Sequence, residues 1–331
     1  MQESVTIKDV AAYAGVAVST VSRVMNNRDR VSPKTREAVK NAIEELGYVR
    51  NNLAASIRGG NTHFIVTVVP DIINEFYSAV IRGVEVVSKR HGYHTLVCAA
   101  NDIENGIAEV FDSELQAIVD GIVMVPSVEK DMLCQIGKPL VVIDRLLPER
   151  TEYSVELDNY RGACRLTQEL IDNGHKKIAV ITGKSDFNVF LDRMRGYQDT
   201  MEKNGIEIRE EYICVGDWYQ ETGQRFTRQL LEMSDPPTAI FSFNNQICLG
   251  SAKFMLSHGY QIGKDISLVE FDDWLVAEYL GPGITSIRGA VEQMGEIGAE
   301  MLFSLLNHKQ VKEKNKVLDV ELVRRGSVAK L

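Results

Sequence analysis

Six histidines and five cysteines are all that this 331-residue chain holds of those types, and each scarcity removes a class of protein. The cysteines (Cys98, Cys134, Cys164, Cys214, Cys248) are odd in number, far apart and without a CxxC. They predict free thiols in a reducing cytoplasm, with neither a disulfide framework nor a metal centre. Few histidines and no Ser/His/Asp arrangement leave nothing that argues for catalysis. No P-loop and no GxGxxG occurs, so a nucleotide cofactor is not expected, and no other cofactor is implied. No apolar run approaches the ~20 residues that span a bilayer. The opening MQESVTIKDV has neither a basic nor an apolar segment of a secretory signal. A cytoplasmic protein without a membrane partner is the expectation.

What remains is ordinary globular material in unequal parts. Apolar residues make up 44% of the chain and charged residues 25%, enough for more than one core. The net charge of −9 divides unevenly. Residues 1–60 carry nine Lys/Arg against six acids, a balance of +3 that leaves −12 on the rest. Cations gathered at one end suit phosphate neutralisation, and an acidic body discourages nonspecific wrapping of nucleic acid.

The cationic end contains TIKDVAAYAGVAVSTVSRVMNN, residues 6–27. Ile7, Val10 and Ala11 repeat at helical spacing, and Val21 and Val24 mark the inner face of a second helix. Thr6 with Asp9 three residues on is a capping box. Gly15 stops the first helix in the left-handed region, which glycine enters without a Cβ penalty. The outer face of the second helix then presents Val18, Ser19, Ser22 and Arg23. Arg can bond guanine through two donors, Ser can reach a base or a phosphate, and Val can touch a thymine methyl. Most helical hairpins bind no DNA, so the length of the pattern matters. Thr6 to Asn26 resembles the N-terminal pattern of the LacI/GalR repressors nearly throughout. That resemblance implies DNA contacts by Thr6, Thr20 and Asn26 as well. The family usually has Ser where this chain has Ala17, and a lost helix cap costs ~1 kcal/mol.

Ser32-Pro33 is a helix start. The apolar set Ala38, Val39, Ala42, Ile43 and Leu46 follows on one face, and Gly47 ends it. A three-helix DNA-binding domain over residues 1–50 is the expectation. Residues 51–62 then end in Gly59-Gly60, the composition of a linker. The family resemblance implies a hinge helix there, with Ala54 at the DNA and Ile57 wedged between minor-groove bases, where the family has Leu.

From His63 the texture changes. Short Val/Ile-rich runs (Phe64–Val69, Thr95–Ala99, Ile118–Val125, Leu140–Ile143, Ile178–Thr182, Ala239–Phe243, Ile266–Phe271) alternate with helix-length segments such as Ser78–Gly92. This predicts an α/β body of doubly wound parallel sheets, with polar strand ends at the ligand-binding edge. VVPDIINEFY, VDGIVMVPS, VVIDR, AIFSFNNQICLG, DISLVEFDDW and VELVRRGS resemble, in order, the LacI/GalR effector domain, which shares its fold with periplasmic sugar-binding proteins. The resemblance implies two lobes within 63–331: one about 63–160 and 290–320, the other about 161–289 and 321–331. It also implies an effector cleft formed by Phe76, Asp144, Arg193, Trp218, Asn244 and Asp272. These types suit a polyhydroxylated ligand: carboxylates and amides meet hydroxyls, Arg offers a planar fork, and aromatic rings cover the apolar face of a sugar. Taken singly, each has a plainer role, Trp218 in the core, Asp272-Asp273 capping a loop, Arg193 with Arg195 on a solvated helix face. Asn245 stands where Asp is common in the family. Glu270 stands where Gly is usual, and is expected to reshape the cleft floor or add charge beside it.

The expectation is a transcriptional regulator, a repressor of carbohydrate-utilisation genes, binding a near-palindromic operator as a homodimer and answering to a sugar-like effector. No heptad tail follows VELVRRGS, which favours the dimer over a tetramer. A corepressor-protein sensor fits the same fold. A solute-binding module is disfavoured by the N-terminal helices, and a sugar-processing enzyme is the weakest alternative.

Overall fold

The computed structural model describes residues 5–25, 31–48, 61–100, 113–127, 136–146, 151–183 and 187–331. Two compact units, residues 1–62 and 63–331, are each described by themselves. Among the described residues no helix is long and apolar enough to cross a membrane.

Among its described residues the small unit has the helices α1 (Ile7–Tyr13), α2 (Val18–Met25) and α3 (Pro33–Leu46). Val10, Ala11, Val21, Val24, Val39 and Ala42 form its core. Its punctuation is local chemistry. Asp9 accepts from both the Thr6 amide and the Thr6 hydroxyl at 2.7 and 2.6 Å, Gly15 has φ 65°, and the Ser32 hydroxyl accepts from the Thr35 amide at 3.2 Å. Ala38 departs from the expected apolar face: it is exposed, because the seam of α3 is narrow and its buried positions are Val39 and Ala42.

The large unit is built on two six-stranded sheets, ordered β11-β5-β4-β3-β1-β2 and β12-β10-β9-β8-β6-β7. The first lobe holds β1 (Phe64–Val69), β2 (His94–Ala99), β3 (Gly121–Met124), β4 (Leu140–Ile143), β5 (Ser154–Leu157) and β11 (Asn315–Leu318). The second holds β6 (Ile178–Gly183), β7 (Ile213–Gly216), β8 (Ala239–Ser242), β9 (Ser267–Phe271), β10 (Thr285–Gly289) and β12 (Val320–Val323). All pairings among these strands are parallel except β10 with β12. Among the described residues its helices are α4 (Glu75–Arg90), α5 (Ser113–Ile118), α6 (Asn159–Asp172), α7 (Asn188–Lys203), α8 (Gln220–Leu231), α9 (Asn245–Ser257) and α10 (Val291–Leu306). Central strands such as β6 and β9 are buried along their whole length, as two covered faces require. The chain passes between sheets at Asp158, Ala290 and Asp319.

Two strand expectations need correction. The run Ile118–Val125 is not one strand: Ile118 ends α5 and β3 begins only at Gly121. Strands β5, β7, β10, β11 and β12 are additional to the predicted runs. Several of them are edge strands, and β11, at the sheet edge, is buried only at Leu318.

Candidate functional site

Two surfaces carry candidate residues. On the small unit, the side of α2 opposite Val21 and Val24 leaves Val18, Ser19 and Arg23 exposed or partly so, with Thr20 and Ser22 beside them. Thr6 is exposed at the start of α1, its hydroxyl engaged with Asp9. Five side chains therefore share one short amphipathic helix. Tyr13, 60% exposed at the end of α1, is an aromatic on this unit that the apolar spacing did not single out. At the start of α2 the Thr20 and Val21 amides bond the Ala17 carbonyl at 2.8 and 3.2 Å, and Ala17 has no side-chain acceptor to add. Asn26, Ala54 and Ile57 lie outside the described residues.

On the large unit, Phe76, Asp144, Arg193, Trp218, Asn244 and Asp272 all line one compartment between the two lobes. The fold explains the convergence. Asp144 and Asp272 follow the last residues of β4 and β9, Asn244 precedes α9, and Trp218 lies just after β7. All stand at the carboxyl edges of their sheets. Both aspartates have left-handed backbones, φ 67° and 87°, a conformation that is strained for a non-glycine residue and gathers at functional sites. Each has a buried Oδ1 that accepts no hydrogen bond.

Arg193 is only 3% exposed, so it is no solvated helix face; Arg195, two residues on, is exposed. The Arg193 Nε donates to Asn159 Oδ1 at 2.9 Å, another donor reaches the Phe243 carbonyl, and the guanidinium lies 3.7 Å from the centre of the Phe271 ring. Nη2 is 3.8 Å from Asp272 Oδ1. Desolvation pushes Asp144 up to about 6 against the opposing pull of Arg193 and Arg145. Asp272 moves the same way, its burial opposed by Arg193. Asn244 is already engaged: its Oδ1 caps α9 through the Ile247 amide at 2.9 Å and its Nδ2 donates to the Trp218 carbonyl at 3.1 Å. Trp218 presses on β6, where a Cβ at Gly183 would come within 2.5 Å of the indole.

Sequence reasoning missed the residues that draw the lobes together. Asn74 and Asn245 exchange amide hydrogen bonds across the cleft at 3.2 and 3.0 Å. The Leu146 amide donates to Asn188 Oδ1 at 2.7 Å, and Asn188 Nδ2 donates to Glu156. Burial first, then nearby Asp192 and Asp144, push Glu156 up to about 7. Arg145 donates to the Tyr77 hydroxyl at 2.6 Å; its position directly after Asp144 was the one available signal. These bonds leave the compartment about 30 Å³, room for little more than one or two waters. A larger chamber of about 630 Å³ shares Phe76, Asn245 and Asp272 with it.

Glu270 acts on the cleft at one remove. Its side chain is wholly buried and lines neither the compartment nor the chamber. It accepts from Trp274 Nε1 at 3.0 and 3.1 Å with Cys248 beside it. Desolvation holds its carboxyl well above the usual carboxylate range. Glu270 therefore stands behind the cleft rather than in its floor.

Comparison with known proteins gives matches in both units. The family described as bacterial regulatory proteins, lacI family, matches residues 6–51, and a periplasmic binding protein-like domain matches residues 167–328. The transcriptional repressor CytR of Escherichia coli is 31% identical over 100% of this chain and 98% of its own length. The transcriptional regulator RegA of Clostridium saccharobutylicum is 33% identical over 97% and 98%. Among solved structures, the regulator CelR in complex with cellobiose superposes with a TM-score of 0.74 at 32% identity, covering 98% of this chain and 99% of that one. The lac repressor dimer bound to operator and the anti-inducer ONPF gives 0.85 at 26% identity, covering 99% and 100%.

Proposed function

The chain belongs to the lacI family of bacterial regulatory proteins, and on that premise we propose that it represses carbohydrate-utilisation genes in the cytoplasm and is controlled by a sugar bound between its lobes. It is a helix-turn-helix, DNA-binding transcriptional regulator. In this reading Val18, Ser19 and Arg23 of α2 meet base edges, with Thr6, Thr20, Ser22 and Asn26 in support and Ala54 and Ile57 at the hinge. Two copies read the two halves of a near-palindromic operator. The exposed apolar stretch Ile72, Ile73, Leu275, Val276 and Tyr279 supports a homodimer; the Leu275 amide bonded to Glu75 at 3.1 Å joins its two segments.

One observation carries the effector reading: the two buried aspartate oxygens of Asp144 and Asp272, without hydrogen-bond donors, beside Arg193 and Trp218. A neutral hydroxylated ligand supplies the missing donors and leaves the ion pair balanced. Such a ligand enters only as the lobes part, because the compartment is too small for a ring. It then shifts DNA affinity by the difference in its affinity for the two lobe arrangements.

The test has two arms. A thermal-shift screen of the full chain against neutral sugars, sugar acids and sugar phosphates is expected to give hits among neutral sugars; a ligand at 100 times its Kd adds ~2.7 kcal/mol. Duplexes selected from a random pool are expected to be near-palindromic, and Arg23→Ala is expected to relax preference at one base pair by ~1–3 kcal/mol. Silence across all sugars moves the reading to a corepressor protein, and unaltered base preference in Arg23→Ala removes that residue from the recognition surface.

A further inference from the structure

We infer that the larger chamber is the second half of the effector site and takes the second ring of a neutral disaccharide, stacked on Trp274. The inference rests on the sugar-effector reading above and specifies the size and charge of that sugar.

The chamber and the inner compartment are contiguous, since Phe76, Asn245 and Asp272 line both. At about 630 Å³ the chamber lies within the usual range of small-molecule sites, roughly 300–1,000 Å³. Its apolar walls are Phe76, Leu157, Ile287 and Trp274. The indole of Trp274 is fixed: its only polar atom donates to both oxygens of Glu270, which is itself wholly buried on β9. A pinned aromatic face is what the apolar face of a pyranose stacks against, and little side-chain entropy is lost on binding. Gln293 and Glu296, on the first turns of α10, add polar groups to the lining that can meet hydroxyls.

Charge narrows the ligand further. Glu75, Asp272, Asp273, Glu292 and Glu296 line the chamber with Arg288. Arg288 and Arg325 pair with Asp273, Arg82 with Glu292, and Arg193 stands 3.8 Å from Asp272, so the excess of carboxylate rests on Glu75 and Glu296. Carboxylate excess of that kind repels phosphate and sugar-acid groups, so the second ring is neutral. The inner compartment, with Asp144, Arg193 and Asp272, takes the first ring; the chamber takes the other.

The molecule carries its own reporters. Its two tryptophans divide between the compartments, Trp218 in the inner and Trp274 in the outer. In the full-length Trp218→Phe protein only Trp274 emits, and in Trp274→Phe only Trp218. Both are titrated with cellobiose, maltose and lactose, and with glucose, galactose and glucose 6-phosphate. At least one disaccharide is expected to change the emission of both proteins and to bind at least tenfold more tightly than its component monosaccharides. Trp274→Ala is expected to erase that tenfold advantage, and Trp274→Tyr, which keeps a stacking ring, to retain most of it. A sugar that perturbs Trp218 alone, or a monosaccharide that binds as tightly as its disaccharides, overturns the two-ring inference and leaves the sugar-effector reading standing. Silence of both tryptophans with every sugar overturns the effector reading, and the inference falls with it.

Discussion

Asp144 shows what one buried carboxyl does to the molecule. Its environment raises its pKa from 3.8 to about 6, so the folded chain keeps a proton that the unfolded chain has released. Stability therefore falls as pH rises from about 4 to about 6, the reverse of the usual carboxylate in an ion pair. Asp144→Asn removes that slope and is expected to be more stable than the parent at neutral pH by on the order of 2–3 kcal/mol. Melting temperatures of the two proteins compared across pH 4 to 8 measure it, and curves that stay parallel would refute the assignment. The same variant is expected to lose the sugar response, since the amide replaces an acceptor oxygen with a donor. How far such residues were legible depended on what fixes them. Asp144 and Asp272 could be placed because they end Val/Ile-rich runs. The burial of Arg193 could not, since DRMRGY has the look of a solvated helix face and only the packing of α7 against Asn159 and Phe271 hides it. Glu270 was legible as an oddity, but its hold on Trp274 was not, because strand alternation alone does not say which helix covers which face.

Elements follow the same division between local and distant causes. Helices with their own punctuation, such as α3 between Ser32-Pro33 and Gly47, were readable to the residue. The β7 and β11 edges, with mixed burial, take their strand character from pairing partners far along the chain. Helix α2 is the weak element of the small unit, for its first turn has no side-chain acceptor at Ala17. Ala17→Ser is expected to stabilise the unit by ~1 kcal/mol, read as a higher melting temperature for the full chain's first transition. Between lobes, Asn188 at the start of α7 is the bolt: it joins Leu146 and Glu156 of the first lobe to the second. Asn188→Ala cuts both bonds and leaves the Leu146 amide without its acceptor. The lobes of that variant are expected to part, raising the radius of gyration of the effector-free protein in small-angle scattering and speeding sugar association. An unchanged scattering curve would show that the remaining bonds between lobes, Asn74 with Asn245, the Leu275 amide with Glu75 and the Asn188 amide with the Leu146 carbonyl, hold the cleft.

Across the whole molecule, positive charge gathers at one end of the chain and exposed apolar surface on the body. The first 60 residues carry +3 and the rest −12, so a single copy brings few cations to DNA and holds it weakly at physiological salt. Two copies double the number of phosphates neutralised, and linking two modest half-site interactions multiplies affinity by roughly 10²–10⁴ through effective concentration alone. The surface that joins them in our proposal is the exposed stretch containing Ile73, 88% exposed, and Tyr279, 75% exposed. Exposed apolar residues of that size, grouped by the Glu75–Leu275 bond, mark an interaction face. Ile73→Asp with Tyr279→Asp places two charges on it and disturbs no buried side chain. Sedimentation is expected to show a dimer for the parent and a monomer for the double variant, with sugar-induced thermal shifts retained because the cleft lies within one chain. Operator affinity is expected to fall at least a hundredfold. The salt dependence is expected to become about half as steep, because a monomer neutralises half as many phosphates and so releases half as many counterions. A double variant that stays dimeric would move the interface to another face of the body. One that becomes monomeric yet binds the full operator as tightly as before would show that each copy reads its half-site alone.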